Sequence, residues 1–342
     1  MNRQGVYTAA RTIGVRDTDD PVPAAGEVLV EVAFTGLCGT DLHIYHGDMD
    51  ARVTRPAVIG HEMSGRVRAA GPDVAGWEPG APVTVLPLSW CGQCPACRAG
   101  FSYICHRLAF LGIDAPGAMQ QLWAVPADLL LPLPPSLALR DAALVEPTAV
   151  AVRDVRRAAV SAGERVVVVG GGPVGVLIAL VASRAGGEVV VVEPNEHRRG
   201  LAAKLGLRTL DPVAEDVTAE IGSWTGGAGA DVAFEVSGAA AGVASAVDVL
   251  ATRGRLCLVA IHPAPREVNL FQFFWRELTL VGARLYERTD FEQAIELVAA
   301  GVIPAELMIS SVVGLDEVAD GFAAIESGAG VMKVLVSCQE AR

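Results

Sequence analysis

The sequence predicts an α/β protein in which a β-rich part precedes a doubly wound parallel sheet, and three observations carry that expectation. Up to about Leu144 the chain runs in short β-type stretches such as EVLVEVAFTG and APVTVLPL, bounded by Gly and Pro. After Val145, apolar strand, turn and amphipathic helix alternate. The first strand of that second part runs directly into G-x-G-x-x-G. These patterns set the expected boundaries at 1–146, 147–285 and 286–342.

Taken in order, the first part reads as an irregular β-barrel or sandwich interrupted by a cysteine-rich loop at 91–105. Strands are then expected at RVVVVGG, EVVVVEP, DVAFEVSG, GRLCLVAI and LTLVGARL, with LGLRTLD a weaker sixth. Intervening helices are carried by HRRGLAAKLG and GVASAVDVLA. Residues 166–183 hold no charge and meet the length of a membrane span. Three consecutive glycines and a proline split that run into a buried strand, a turn and a helix from about Pro173 to Arg184, so no membrane is expected as a partner. The last part offers a helix (FEQAIELVAAG), a strand (MISSVVG), a helix (EVADGFAAIESG) and a strand (KVLVS). Pattern alone leaves open whether these extend the second sheet or return to the first part.

Composition narrows the function classes. The 342 residues are ample for two domains, and 27 Lys+Arg against 39 Asp+Glu give a net charge of −12. With no basic run longer than two, the chain has no electrostatic footprint for nucleic acid. The opening residues lack the apolar core of a signal peptide, and seven cysteines do not suit a closed disulfide framework. A reduced, cytoplasmic protein is expected.

Gly170, Gly172, Pro173, Val174 and Gly175 form the glycine turn at the mouth of a helix. Glycines there allow a tight turn, let backbone approach a pyrophosphate and bring helix close to sheet, while the helix N-terminus offers unpaired N–H groups to phosphates. The next strand ends at Glu193, a carboxylate placed to accept from ribose hydroxyls and to repel a 2′-phosphate. That favours NAD over NADP. Arg198 and Arg199 pull the other way, because a guanidinium neutralises such a phosphate. A purely structural glycine turn is the alternative.

Cys91, Cys94, Cys97 and Cys105 have the spacing C-x2-C-x2-C-x7-C. Four sulfurs on a tight loop fill a tetrahedral shell and leave no place for water, so the expected site is a structural zinc. An iron–sulfur cluster, disulfides or buried thiols are the competing readings. Cys257, in an expected strand, and Cys338 read as inert.

Four more residues stand out: Cys38 in GLCGTDLHIYHG, His61 and Glu62 in GHEMSG, and Glu146 in LVEPTAV. GHEMSG does not complete H-E-x-x-H, since position 65 is Gly65, which removes the main support for peptide hydrolysis. Together with the glycine turn and the cysteine loop, these residues make the chain resemble the zinc-dependent medium-chain alcohol dehydrogenase family over essentially its whole length. Its threonine, sorbitol and butanediol dehydrogenase branch is the most similar, because a glutamate stands where other members carry a cysteine. The resemblance implies a GroES-like catalytic domain built from both chain ends and a Rossmann nucleotide-binding domain between them. It also implies two zinc ions per chain, NAD, and a homodimer or homotetramer for which the edge strand LTLVGARL can extend the sheet between subunits. Cys38, His61 and Glu62 match catalytic zinc ligands, and Glu146 matches a residue that binds zinc directly or through water. The resemblance leaves open which glutamate ligates. VEPTAVAVRDVRR departs from the threonine-oxidising pattern and is more similar to the polyol and diol enzymes.

The implied reaction takes a hydride from a secondary alcohol, diol or polyol, reversibly, to give a ketone. Zinc lowers the pKa of bound water from about 15.7 to about 7, worth roughly 12 kcal/mol. A general base supplies only about 3 to 5 kcal/mol, so the metal carries most of the activation. Thr40 and His43 match the family's proton relay, Thr40 bonding the substrate oxygen and His43 passing the proton outward. Asp41 suits an acceptor to His61 or an exposed turn carboxylate. Tyr45 and His46 are the remaining candidates, for the lining of the substrate entrance. Three readings compete with this one: a threonine-type dehydrogenase, a non-catalytic nucleotide sensor with a zinc-ribbon interaction module, and a metal-free oxidoreductase similar to quinone reductases.

Overall fold

A computed structural model describes residues 1–262, 264–328 and 330–339. It divides into two compact units, one made of Met1–Glu146 with Glu287–Arg342 and the other of Pro147–Tyr286.

The first unit is built on antiparallel sheet. Its largest sheet runs in the order Leu130–Pro132, Pro82–Val85, Glu62–Ala70, Glu27–Gly36, Lys333–Ser337, Ile309–Gly314, with Leu122–Pro126 also paired to Glu27–Gly36. Asn2–Ala9, Thr12–Thr18 and Ala57–Val58 form a second, three-stranded sheet. Inward side chains such as Val28, Val30, Val32, Val83 and Val85 are fully buried, each worth roughly 1.5–3 kcal/mol relative to exposure. Lys333–Ser337 lies antiparallel to Glu27–Gly36, with Leu335 opposite Gly36. The residues after 286 therefore complete this sheet. Gly36 in turn stands opposite Glu62, so the ends of two central strands bring residues 36–38 beside 61–62.

The second unit is a six-stranded, wholly parallel sheet in the order Arg208–Leu210, Glu188–Val192, Arg165–Val169, Ala230–Glu235, Leu250–Leu258, Thr279–Gly282. Strand order reverses next to Arg165–Val169, and the glycine turn follows that strand. The valine runs 166–169 and 190–192 are buried because helices cover both faces of such a sheet. Helices Pro173–Arg184, Glu196–Lys204 and Ala240–Asp248 fall where the sequence places them. The weak candidate LGLRTLD is the edge strand Arg208–Leu210. LTLVGARL is strand only over Thr279–Gly282, and 145–157, unassigned from the sequence, is a helix. Among the described residues no helix is long and apolar enough to cross a membrane.

Candidate functional site

Cys38 is the N-cap of the helix Gly39–His46. Its Sγ accepts from the Thr40 amide at 3.4 Å, and its own amide donates to Asp41 Oδ2 at 3.0 Å. The sulfur thus faces the positive end of the helix dipole, which favours negative charge there. Glu62 opens the strand Glu62–Ala70 with His61 immediately before it, and one donor atom from each of Cys38, His61 and Glu62 lies within 4.8 Å of the others. Phe110 packs edge-on against the His61 ring, centroids 5.0 Å apart.

The electrostatics of this cluster are anionic. Burial by itself would depress the His61 imidazole, but Asp41, Cys38 and Glu146 outweigh it and hold the group well above the ordinary histidine value. Burial likewise disfavours the Lys333 ammonium, and Glu62 and Cys38 reverse that. Burial raises the Asp41 carboxyl, with His61 the main opposing influence. Asp41 Oδ1 and His61 Nδ1 are both buried without a hydrogen-bond partner, 3.6 Å apart. That orphaned pair is what a carboxylate–histidine–metal arrangement looks like before the other ring nitrogen is taken up. A divalent cation bound by thiolate, imidazole and carboxylate fits this donor set.

The remaining sequence-identified residues are placed as follows. Glu146 is buried in the first turn of the helix Val145–Arg157, close enough to act electrostatically on His61 and Lys333 but outside the 4.8 Å cluster. Thr40 is half-buried, and the exposed His43, one turn on, pairs through Nδ1 with Asp48 Oδ2 at 3.2 Å. Tyr45 is a core residue stacked on Phe322 at 4.5 Å, and His46 pairs with Glu326 at 2.5 Å. Sequence reading missed Lys333, whose Nζ donates to both Glu62 oxygens at 2.7 and 2.6 Å. Its signal was a lysine heading the otherwise apolar KVLVS.

The cysteine loop is a second candidate metal site. Sγ–Sγ separations are 4.0 Å for Cys91–Cys97, 3.5 Å for Cys94–Cys97, 3.7 Å for Cys94–Cys105 and 3.5 Å for Cys91–Cys105. A tetrahedron with metal–sulfur bonds of about 2.3 Å has edges of about 3.8 Å, whereas a disulfide needs about 2.05 Å. The set therefore fits zinc and excludes disulfides in this state. The Gln93 and Cys94 amides lower the Cys91 thiol to about 5, and amides of Cys97 and His106 lower Cys94. Burial and the neighbouring sulfurs raise Cys97 to about 11, so four thiolates need a cation to coexist.

In the second unit the glycines separate by role. A Cβ on Gly175 would lie 1.8 Å from the Gly170 carbonyl oxygen, so helix and turn meet only at glycine. Gly170 has φ +109. At Gly172 a Cβ would meet only Arg198 Nη1 at 3.9 Å, open space of the kind a ligand's backbone approach requires. Glu193 is buried and accepts from the amides of Gly171 (2.7 Å) and Asn195 (2.8 Å). Each carboxylate oxygen keeps a further lone pair. Arg199 is committed to Asp211 at 2.8 Å, while Arg198 Nε is buried without a partner. The turn, the uncapped helix start and the acid fit a dinucleotide.

Comparison with known proteins agrees with both units. Residues 24–135 match the alcohol dehydrogenase GroES-like domain and residues 173–300 the zinc-binding dehydrogenase family. The chain is 48% identical to a 2-dehydro-3-deoxy-L-galactonate 5-dehydrogenase of Pseudoalteromonas atlantica, over 97% of either chain. It is 33% identical to the L-galactonate-5-dehydrogenase of Escherichia coli K12, over 85% of either chain. A Sinorhizobium meliloti 1021 structure with NADP bound superposes with a TM-score of 0.92 at 32% identity, covering 98% of this chain and 99% of that one. A GroES-like unit, a doubly wound nucleotide unit and these matches place the chain in the zinc-dependent medium-chain alcohol dehydrogenase family, as an oxidoreductase that dehydrogenates alcohol groups with a nicotinamide dinucleotide.

Proposed function

We propose that this enzyme oxidises, reversibly, the secondary alcohol of a sugar acid to the ketone, with NAD as hydride acceptor. The observation that carries the site is the convergence of Cys38, His61 and Glu62 from two strand ends. Similarity to two dehydrogenases whose names place oxidation at carbon 5 of a galactonate skeleton supports the substrate class. When bound, zinc supplies Lewis acidity to the alcohol oxygen and the nicotinamide accepts the hydride. Cys38 and His61 hold the metal with Glu146 or Glu62, and Asp41 orients the His61 ring. Thr40 positions the alcohol, its oxygen accepting the alcohol's proton as its own hydroxyl proton passes on toward His43 and water. Gly170, Gly172, Pro173, Val174 and Gly175 hold the pyrophosphate, Arg198 faces it, and Glu193 accepts from the ribose and disfavours a 2′-phosphate. Cys91, Cys94, Cys97 and Cys105 hold a second, structural zinc.

The enzyme works in the cytoplasm as a homo-oligomer, joined through the edge strand Thr279–Gly282 and the adjacent helix Leu270–Trp275. Support comes from Leu270, Phe271, Phe274 and Trp275, each at least 60% exposed. The test of the reaction is nicotinamide reduction by 3-deoxy-2-keto sugar acids, aldonates, polyols, diols and threonine, with NAD and with NADP. Highest kcat/KM on a sugar acid with NAD is expected. Preference for threonine, or for NADP, overturns the corresponding part.

A further inference from the structure

We propose that Arg266 is a dinucleotide-binding residue: it contacts the phosphate on the nicotinamide side of the pyrophosphate, and Glu235 and His262 are the positioning residues that aim it. The proposal rests on the dinucleotide site read above at Gly170–Gly175. Glu235 ends the strand Ala230–Glu235, which pairs with Arg165–Val169, the strand that leads into the glycine turn. Strand order reverses between these two, and ligands of such sheets lie at the carboxyl ends of the strands flanking that point. The segments that follow the two strands touch, since a Cβ on Gly170 would lie 2.8 Å from the Ser237 amide nitrogen. Glu193, after Glu188–Val192, marks the adenosine side of the crevice. The ends of Ala230–Glu235 and Leu250–Leu258, across the reversal, mark the nicotinamide side.

Glu235 is fully buried. Its Oε1 accepts from the Ser237 amide (2.9 Å), the Ser237 hydroxyl (2.6 Å) and the Gly238 amide (3.0 Å), and its Oε2 lies 2.9 Å from His262 Nε2. A carboxylate only accepts, so Nε2 carries the proton that is donated and Nδ1 is left as an acceptor. Arg266 Nε donates to that Nδ1 at 3.4 Å, and Nη2 donates to the Gly238 carbonyl at 3.3 Å. Neither acceptor is a carboxylate. Among the described residues no carboxylate pairs with Arg266, so its charge stays unneutralised in a chain of net charge −12. Three of its five N–H groups remain for a ligand. A half-buried guanidinium held this way, one residue on from the segment that touches the glycine turn, fits a phosphate oxygen.

The test is binding to the full-length enzyme, read by fluorescence titration with NADH and by displacement of NADH with ADP-ribose or AMP. Arg266→Gln should weaken NADH and ADP-ribose about ten-fold and leave AMP, which lacks the nicotinamide-side phosphate, within a factor of about two. His262→Ala should weaken NADH about three-fold, because the guanidinium loses one of its two tethers. His262→Gln, which keeps a donor for Glu235 and an acceptor for Arg266, should restore the wild-type affinity. Unchanged NADH affinity in Arg266→Gln overturns the proposal, and so does an equal loss of AMP, which would mean that the glycine turn itself had moved. Wild-type affinity in His262→Ala overturns the positioning role. If Arg266→Gln does not fold, Arg266→Lys, which keeps the charge and gives up the tethers, should weaken ADP-ribose more than AMP, and equal effects overturn the proposal. Wild-type enzyme that binds neither NADH nor NADPH would instead sink the dinucleotide reading itself.

Discussion

The sulfur of Cys38 caps a helix and lies among the donor atoms of the candidate metal centre, so one side chain ties local backbone geometry to the proposed chemistry. Cys38→Ser preserves a capping oxygen but gives up the soft ligand. We expect kcat to fall by about 10³-fold or more while dinucleotide affinity, read by fluorescence titration, stays within a factor of two. Asp41→Asn should weaken retention of the proposed catalytic zinc about 10- to 100-fold, measured by competition with a chelator, because the His61 ring loses the carboxylate that stands 3.6 Å from its Nδ1. Tyr7 gives a pH-dependent test away from the site. Its hydroxyl donates to Asp50 at 2.7 Å, and burial together with Asp50 pushes its pKa to about 12. A folded value above the ordinary 10 means that the contribution is complete below pH 10 and is lost as pH rises from 10 to 12. Tyr7→Phe should flatten the urea-unfolding midpoint across that window. Cys38, His61 and Glu62 were legible in the sequence because each sits in a short motif. Lys333 was not, because a lysine heading KVLVS does not reveal that its partner lies 271 positions away.

The glycine turn was the most legible element, since its spacing is written in the sequence, and Gly172 and Gly175 separate the needs of the fold from those of the proposed ligand. Gly175→Ala drives a methyl into the Gly170 carbonyl and should lower the melting temperature along with dinucleotide affinity. Gly172→Ala meets open space, so it should leave melting unchanged and weaken dinucleotide binding alone, both read by thermal shift with and without NAD. The central strands were equally plain because two-sided burial writes them as unbroken valine. Arg208–Leu210 was faint for the opposite reason: an edge strand with exposed Arg208 keeps little of the apolar signature. The placement of the last two strands was hidden from pattern alone and came only through the family resemblance, because Ile309–Gly314 and Lys333–Ser337 form a parallel pair that suits either sheet by composition.

At the scale of the molecule, the exposed helix Leu270–Trp275 and the open sheet edge are where the proposed joining of subunits is tested. Leu280, on that edge strand and 49% exposed, is the position to probe. Leu280→Lys should reduce the mass seen by light scattering to a smaller species while metal content per chain stays that of the wild type. The pairing of Glu62 with Lys333 has a consequence for biogenesis. During synthesis the inserted parallel-sheet unit has emerged in full before residue 333 exists, and units of this kind fold as they appear. Until the strand Lys333–Ser337 is made, the Glu62 carboxylate has no ammonium to meet it, so a chain that stopped short of residue 333 would have to bury that charge alone.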